Sequence, residues 1–140
     1  MTRSALASLY AAVRRALLND EEWANRVFPD VVPAEIARPY AVLFWVAGGE
    51  DNQTKRQDAR ITLTVKCVAD NMGASMRGAG RISELFNDQG SQDGGNIAGD
   101  GNWLITTITQ GRIVHLVEMF EGAQPIYHDG HQFEFDMERI

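Results

Sequence analysis

Cysteine is almost absent from this chain: Cys67 stands alone among 140 residues. A single thiol closes no intramolecular disulfide, which fits a reducing cytoplasm better than an exported, cross-linked domain. Long apolar runs are missing too, and none approaches the roughly 20 residues that a membrane-spanning helix needs. Met1-Thr2-Arg3-Ser4 leads into a helical pattern with arginines at 14 and 15 rather than into the apolar segment and small-residue cleavage site of an export signal. The expectation is a soluble cytoplasmic chain with no membrane partner, on which Asn52-Gln53-Thr54 matches a glycosylation sequon by chance. Positive charge is also short, with 13 Lys and Arg against 19 Asp and Glu and a formal net charge of −6. Nonspecific nucleic-acid binding draws its affinity from basic side chains neutralising phosphates, so the charge balance argues against that class.

Proline is scarce, yet three of the four, Pro29, Pro33 and Pro39, crowd into one passage. Each fixes φ and withholds a backbone donor, so residues 27–38 are expected as an extended crossing rather than a helix or central strand. A strand can begin only at Tyr40. The hydrophobic fraction of 44% is ordinary for a globular protein, and at 140 residues the chain is long enough for one core and one domain, 1–140. Such a domain buries about two thirds of its unfolded surface.

Leu6, Leu9, Tyr10, Val13 and Leu17 follow helical spacing and place a helix at about residues 4–18, capped by Thr2 or Ser4. Residues 40–47 are apolar on both faces, with Tyr40, Val42, Phe44 and Val46 on one and Ala41, Leu43, Trp45 and Ala47 on the other. A strand of that kind wants cover on both sides. Residues 48–59 form a polar, charged loop, after which Ile61, Leu63, Val65 and Cys67 alternate with Thr62, Thr64 and Lys66 as a strand with one buried face. Asp70 or Asn71 can cap a second helix whose Met72, Met76, Ala79, Ile82 and Phe86 share a side. Gly73, Gly78 and Gly80 weaken that helix unless they serve close packing against a sheet. Residues 87–102 are rich in Gly, Asn, Asp, Gln and Ser and are expected as a mobile loop. Strands at 103–109 and 113–120, joined through Gln110-Gly111, and a last strand around 133–137 complete the chain. The order predicts an α+β two-layer sandwich: a mostly antiparallel or mixed sheet of about five strands with two helices on one face.

No catalytic set is legible. His115, His128, Asp129 and His131 are ligand types for zinc or iron, but His128 and His131 fall in a Gly-containing turn before a strand and not on one rigid helical face. Asp93-Gly94-Gly95 and Asp100-Gly101 lack the alternating oxygens and terminal Glu of a calcium loop. Arg77-Gly78-Ala79-Gly80-Arg81 lacks the lysine of a phosphate loop and lies inside a helical pattern. Cys67 takes the buried parity of its strand, and no Ser sits in a nucleophile-elbow context. The expectation is a non-enzyme with no cofactor and no metal.

The layout as a whole resembles the tail-completion, or tail-terminator, proteins of long-tailed bacteriophages and prophages. The resemblance is carried by the N-terminal helix, Val27-Phe28-Pro29 followed by Pro39-Tyr40-Ala41-Val42-Leu43, an alternating strand into a helix, and the C-terminal Phe133-Glu134-Phe135-Asp136. It implies a structural virion protein, assembled in the host cytoplasm, that forms a homohexameric ring at the head-proximal end of the tail tube. Such a ring ends tube polymerisation and joins tail to head, with the major tail tube protein and a head-tail connector or neck protein as partners and DNA passing through without specific binding. A head-completion or neck connector protein is the nearest alternative, and a small metal-dependent enzyme a remoter one. Within this reading the doubly apolar strand and the charged loop place the subunit interface at Leu43, Trp45, Glu50, Asp51, Lys55 and Arg56. Glu134, Asp136 and Glu138, on alternate positions of the last strand, are the candidates to face the DNA channel.

Overall fold

The computed structural model describes residues 4–23, 25–51, 58–95, 97, 99 and 102–140, with the side chain of Asp51 left aside. Helix α1 spans Ala5–Leu18, and Ser4 caps it by accepting the Ala7 N–H at 3.2 Å. A second orphan donor of its first turn, the Ala5 N–H, is taken by Glu50 Oε1 at 2.7 Å from the far end of a distant strand. A carboxylate there also sits at the positive end of the helix dipole. Leu9, Val13 and Leu17 of the expected stripe are fully buried, whereas Leu6 remains 36% exposed.

Strand β1, Val27–Pro29, is short and runs parallel to β2, Tyr40–Asp51. A proline-rich edge strand of this length agrees with an extended crossing outside the sheet's centre. β2 pairs antiparallel with β3, Asp58–Ala69, around a bulge at Val46. Helix α2, Met72–Phe86, follows, with the Asn71 side chain accepting the Ala74 N–H at 2.8 Å. A 3-10 turn at Ser91–Asp93 leads to β4, Trp103–Glu118, and β5, Ile126–Arg139. The five strands lie in the order β1-β2-β3-β5-β4, with both helices on one face, so the α+β two-layer expectation holds.

The helix-covered face carries Ala41 and Leu43 of β2, Ile61, Leu63, Val65 and Cys67 of β3, and Phe133, Phe135 and Met137 of β5. Phe86 of α2 packs on Phe133 and Phe135 with ring centroids 5.7 and 6.4 Å apart.

Four expectations are corrected. Residues 48–51 and 58–59 are not loop: they extend β2 and β3 as paired strand. Residues 103–109 and 113–120 are not two strands: Gly111 and Arg112 form a bulge between the pairs Gln110↔Phe133 and Ile113↔His131, and β4 runs on through it. His128 to His131 lie inside β5 and not in a turn before it. Met72 and Met76 are each 50% exposed, and the buried side of α2 is Ser75, Gly78, Ile82 and Phe86. The reason is closeness. A Cβ built on Gly78 falls 2.3 Å from Cys67 Sγ and 2.5 Å from Cys67 Cβ, so the helix touches β3 along its smallest residues and its methionines are tilted outward.

Gly78→Ala is therefore predicted to destabilise the fold by about 1–3 kcal/mol through overpacking. That is opposite in sign to the ~1 kcal/mol gain that helix propensity alone would give. Adding Cys67→Ala removes the sulfur but not the Cβ contact and should recover only part of the loss. Urea unfolding of both variants measures this, and a Gly78→Ala chain more stable than the parent would contradict the packing account.

Candidate functional site

The titratable residues that look chemically interesting in sequence are drawn into structural roles. His115 Nδ1 lies 2.5 Å from Asp129 Oδ1, and the Ser75 hydroxyl donates to Asp129 Oδ2 at 2.5 Å. The carboxylate is the middle member of this chain. A serine nucleophile needs its hydroxyl on the histidine instead, and Ser75 is fully buried. The network ties α2 to β5 and β4.

His128 Nε2 contacts the Glu118 carboxylate across the sheet's open face. Burial lowers the His128 pKa, nearby Lys66 lowers it further, and Glu118 pulls the other way. Burial likewise lowers that of His131, whose ring stacks edge-on to Phe133 at 5.9 Å. Burial pushes the Cys67 thiol up to about 11, so it is no thiolate nucleophile near neutrality. Among the described residues, no group of three or more His, Cys, Asp or Glu is placed to hold a metal ion.

What remains is surface. Glu134, Asp136 and Glu138 point from β5 to the face without helices, opposite Thr62, Arg60 and Asp58 of β3. Arg60 Nε lies 2.8 Å from Asp136 Oδ1 and 3.5 Å from Glu134 Oε1, and the Thr107 hydroxyl donates to Asp136 Oδ2 at 2.7 Å. The three carboxylates do share a face, but they form a mixed-charge cluster and not a bare acidic ladder. Gly49, Glu50, Asp58, Arg60, Asp136 and Glu138 border an open cleft of about 480 Å³ at that end of the sheet. Sequence reasoning missed Arg60, which sits at a solvent-facing position of an alternating strand like any other surface arginine.

Of the residues expected at a subunit interface, Leu43 is fully buried in the chain's own core. It pairs with Val65, so the pleat turns it under the helices. The open face of β2 is instead Tyr40, Val42 and Phe44, and the protein covers much of it unaided. Phe28 packs edge-on against Tyr40 at 5.9 Å, Lys66 Nζ lies 5.6 Å from the Phe44 ring centroid, and Val42 is only 5% exposed. Glu50 is engaged at the start of α1. Trp45 remains 48% exposed, with its indole N–H donating to Gly48 O at 3.0 Å. The side chain of Asp51, together with Lys55 and Arg56, lies outside the described residues.

Besides Met72 and Met76 on α2, two apolar patches among the described residues stay uncovered at the edges of the sheet. Ile113, Leu116, Val117, Met119 and Phe120, at 77, 49, 37, 78 and 54% exposure, make an apolar arm of the β4–β5 hairpin. Leu6, Trp45 and Val46 make a smaller patch where α1 meets β2. There the Tyr10 hydroxyl accepts the Trp45 N–H at 2.8 Å and donates to Asp30 Oδ1 at 2.8 Å. Burial, then the bond to Asp30, push its pKa up to about 12.

No family model matches the chain, and no curated protein sequence matches it. Among solved structures, a chain of the virion of a native gene transfer agent particle superposes with a TM-score of 0.71 at 16% identity, covering 95% of this chain and 96% of that one. The two chains share a fold from end to end.

Two histidines with lowered pKa values set a pH dependence. Each binds its proton more weakly folded than unfolded, so stability is complete above the unfolded value near 6.5 and falls as pH drops through it toward the folded values. Urea midpoints should decline between pH 7.5 and pH 5, and His131→Gln should flatten that decline. An equal slope in parent and variant would remove His131 from the account.

Proposed function

We propose that this protein is a structural virion component of a phage or phage-like particle, and that it acts as the terminator ring of the tail tube. The observation that carries the reading is the end-to-end fold match to a chain of the gene transfer agent virion. The order of elements shared with tail-completion proteins and the exposed apolar patches support it. A subunit that lives in an assembly keeps apolar surface that a solitary chain would not.

In this reading six copies close a ring on the head-proximal end of the tube. One rim meets the major tail tube protein and stops its polymerisation; the other meets the head-tail connector or neck protein. The residues that look reactive hold the fold together, and the protein works by binding and shape, without turnover. Glu134, Asp136 and Glu138 face the DNA path, with Arg60 compensating part of their charge. A bore with weak net negative charge repels phosphate and gives it nothing to bind.

Electron microscopy of lysates lacking the gene tests the role. The expected result is filled heads lying free beside unattached tails of irregular length. Particles with normal attached tails would overturn the proposal, and free tails of uniform length would move the protein to the neck. Glu134→Lys, Asp136→Lys and Glu138→Lys together test the bore: ejection of DNA should slow at low salt and recover as salt screens the added charge.

A further inference from the structure

The two apolar patches lie on opposite edges of the sheet, and we infer that they meet between successive copies of this chain: the β4–β5 arm of one protomer seats along the outer edge of β2 in the next. This rests on the ring reading above and gives that ring its interface.

β4 is an edge strand with β5 on one side only. Its first half is closed by the segment after α2, where the Asp88 N–H donates to Ile108 O at 3.1 Å and the Gln110 N–H to Asn87 Oδ1 at 3.4 Å. Past the Gly111 bulge, no hydrogen bond among the described residues reaches the outer edge. Natural sheets blunt such edges with lysine, proline or inward charge. Residues 113–117, Ile-Val-His-Leu-Val, carry none of these.

The opposite edge is open in the same way. β1 covers β2 only at Ala41, Val42 and Leu43, and beyond Leu43 no strand among the described residues pairs with that edge, where Tyr10 takes the Trp45 N–H and the Trp45 indole N–H donates to the Gly48 carbonyl. Residues 45–49, Trp-Val-Ala-Gly-Gly, again carry no charge. In a chain of net charge −6, two copies repel over most of their surface, and these two neutral edges are where they can approach.

The patches differ, and that fixes the kind of assembly. A twofold dimer joins one patch to itself and leaves the other exposed, whereas arm to β2 edge is head-to-tail and repeats until a ring closes. Pairing the two strand edges would also satisfy backbone groups that the chain's own contacts leave over, as when a strand is added to a sheet.

Cross-linking with a short bismaleimide tests this, at the highest soluble concentration and again on purified tails. Cys67 is fully buried and silent to the reagent. Ile113→Cys combined with Val46→Cys should give a ladder of covalent multimers beyond the dimer. Either substitution alone should give none, and an equal mixture of the two single variants should stop at dimers. Absence of the ladder, or dimers from one single variant alone, would overturn the inference. Val117→Asp should weaken self-association by about 30-fold, the scale of an interface hot spot, with an unchanged circular-dichroism melt. Unweakened assembly of that variant also counts against it. A ring on tails built through other surfaces, or the arm cross-linked to a different virion protein, would sink this interface and leave the terminator reading standing. Intact tails that carry no ring would sink the reading itself.

Discussion

The seat of α2 on β3 at Gly78 and Cys67 is the contact on which the rest of the structure depends. Only with a hydrogen at position 78 can the helix come close enough for Ser75 to reach Asp129 and for Phe86 to lie on Phe133 and Phe135. That one approach sets the depth of the helical layer over β3 and β5. It also fixes Asp129, and through it His115 on β4. The central strands are thereby filled by the chain itself, and exposed apolar surface is left at the sheet's two margins and on the outward methionines of α2.

The two faces of the sheet have different chemistry for the same reason. Large side chains of β3 and β5 at alternate positions commit one face to the helices, and the pleat sends Arg60, Glu134 and Asp136 to the other. There they neutralise one another in part. At the opposite end of that face Phe28, Tyr40, Phe44 and Lys66 cover Val42 without help from a partner. The apolarity of β2 on both sides is thus mostly an internal matter, and it is the margins of the sheet that ask for company.

Much of this was legible in sequence because periodicity and capping are local. Ser4 and Asn71 mark the helix starts, the alternation from Ile61 to Cys67 marks a one-sided strand, and the prolines at 29, 33 and 39 confine the passage between them to the edge. What escaped was non-local. The bulges of β4 at Thr106 and at Gly111-Arg112 reverse which parity faces the helices, so one strand of 16 residues imitates two shorter ones around a turn. Leu43 lies in the core and not at the expected interface because two apolar faces give no clue to which one the helices cover; pairing with Val65 decides it. The methionines of α2 looked like core because hydrophobicity outweighs size in a pattern, while contact distance favours glycine and serine. The Arg60 cluster depends on register between strands more than 70 residues apart, and no spacing announces it.

The hydrogen bond from Ala5 to Glu50, together with that from Trp45 to the Tyr10 hydroxyl, has a mechanical consequence. Along its outer half β2 has a neighbouring strand on one side only, the arrangement that peels most easily under load. These two bonds rivet that half to α1 at points five residues apart on the strand. A pull on the margin is then carried as shear by a fourteen-residue helix and the core beneath it, and not as unzipping of one ladder rung at a time.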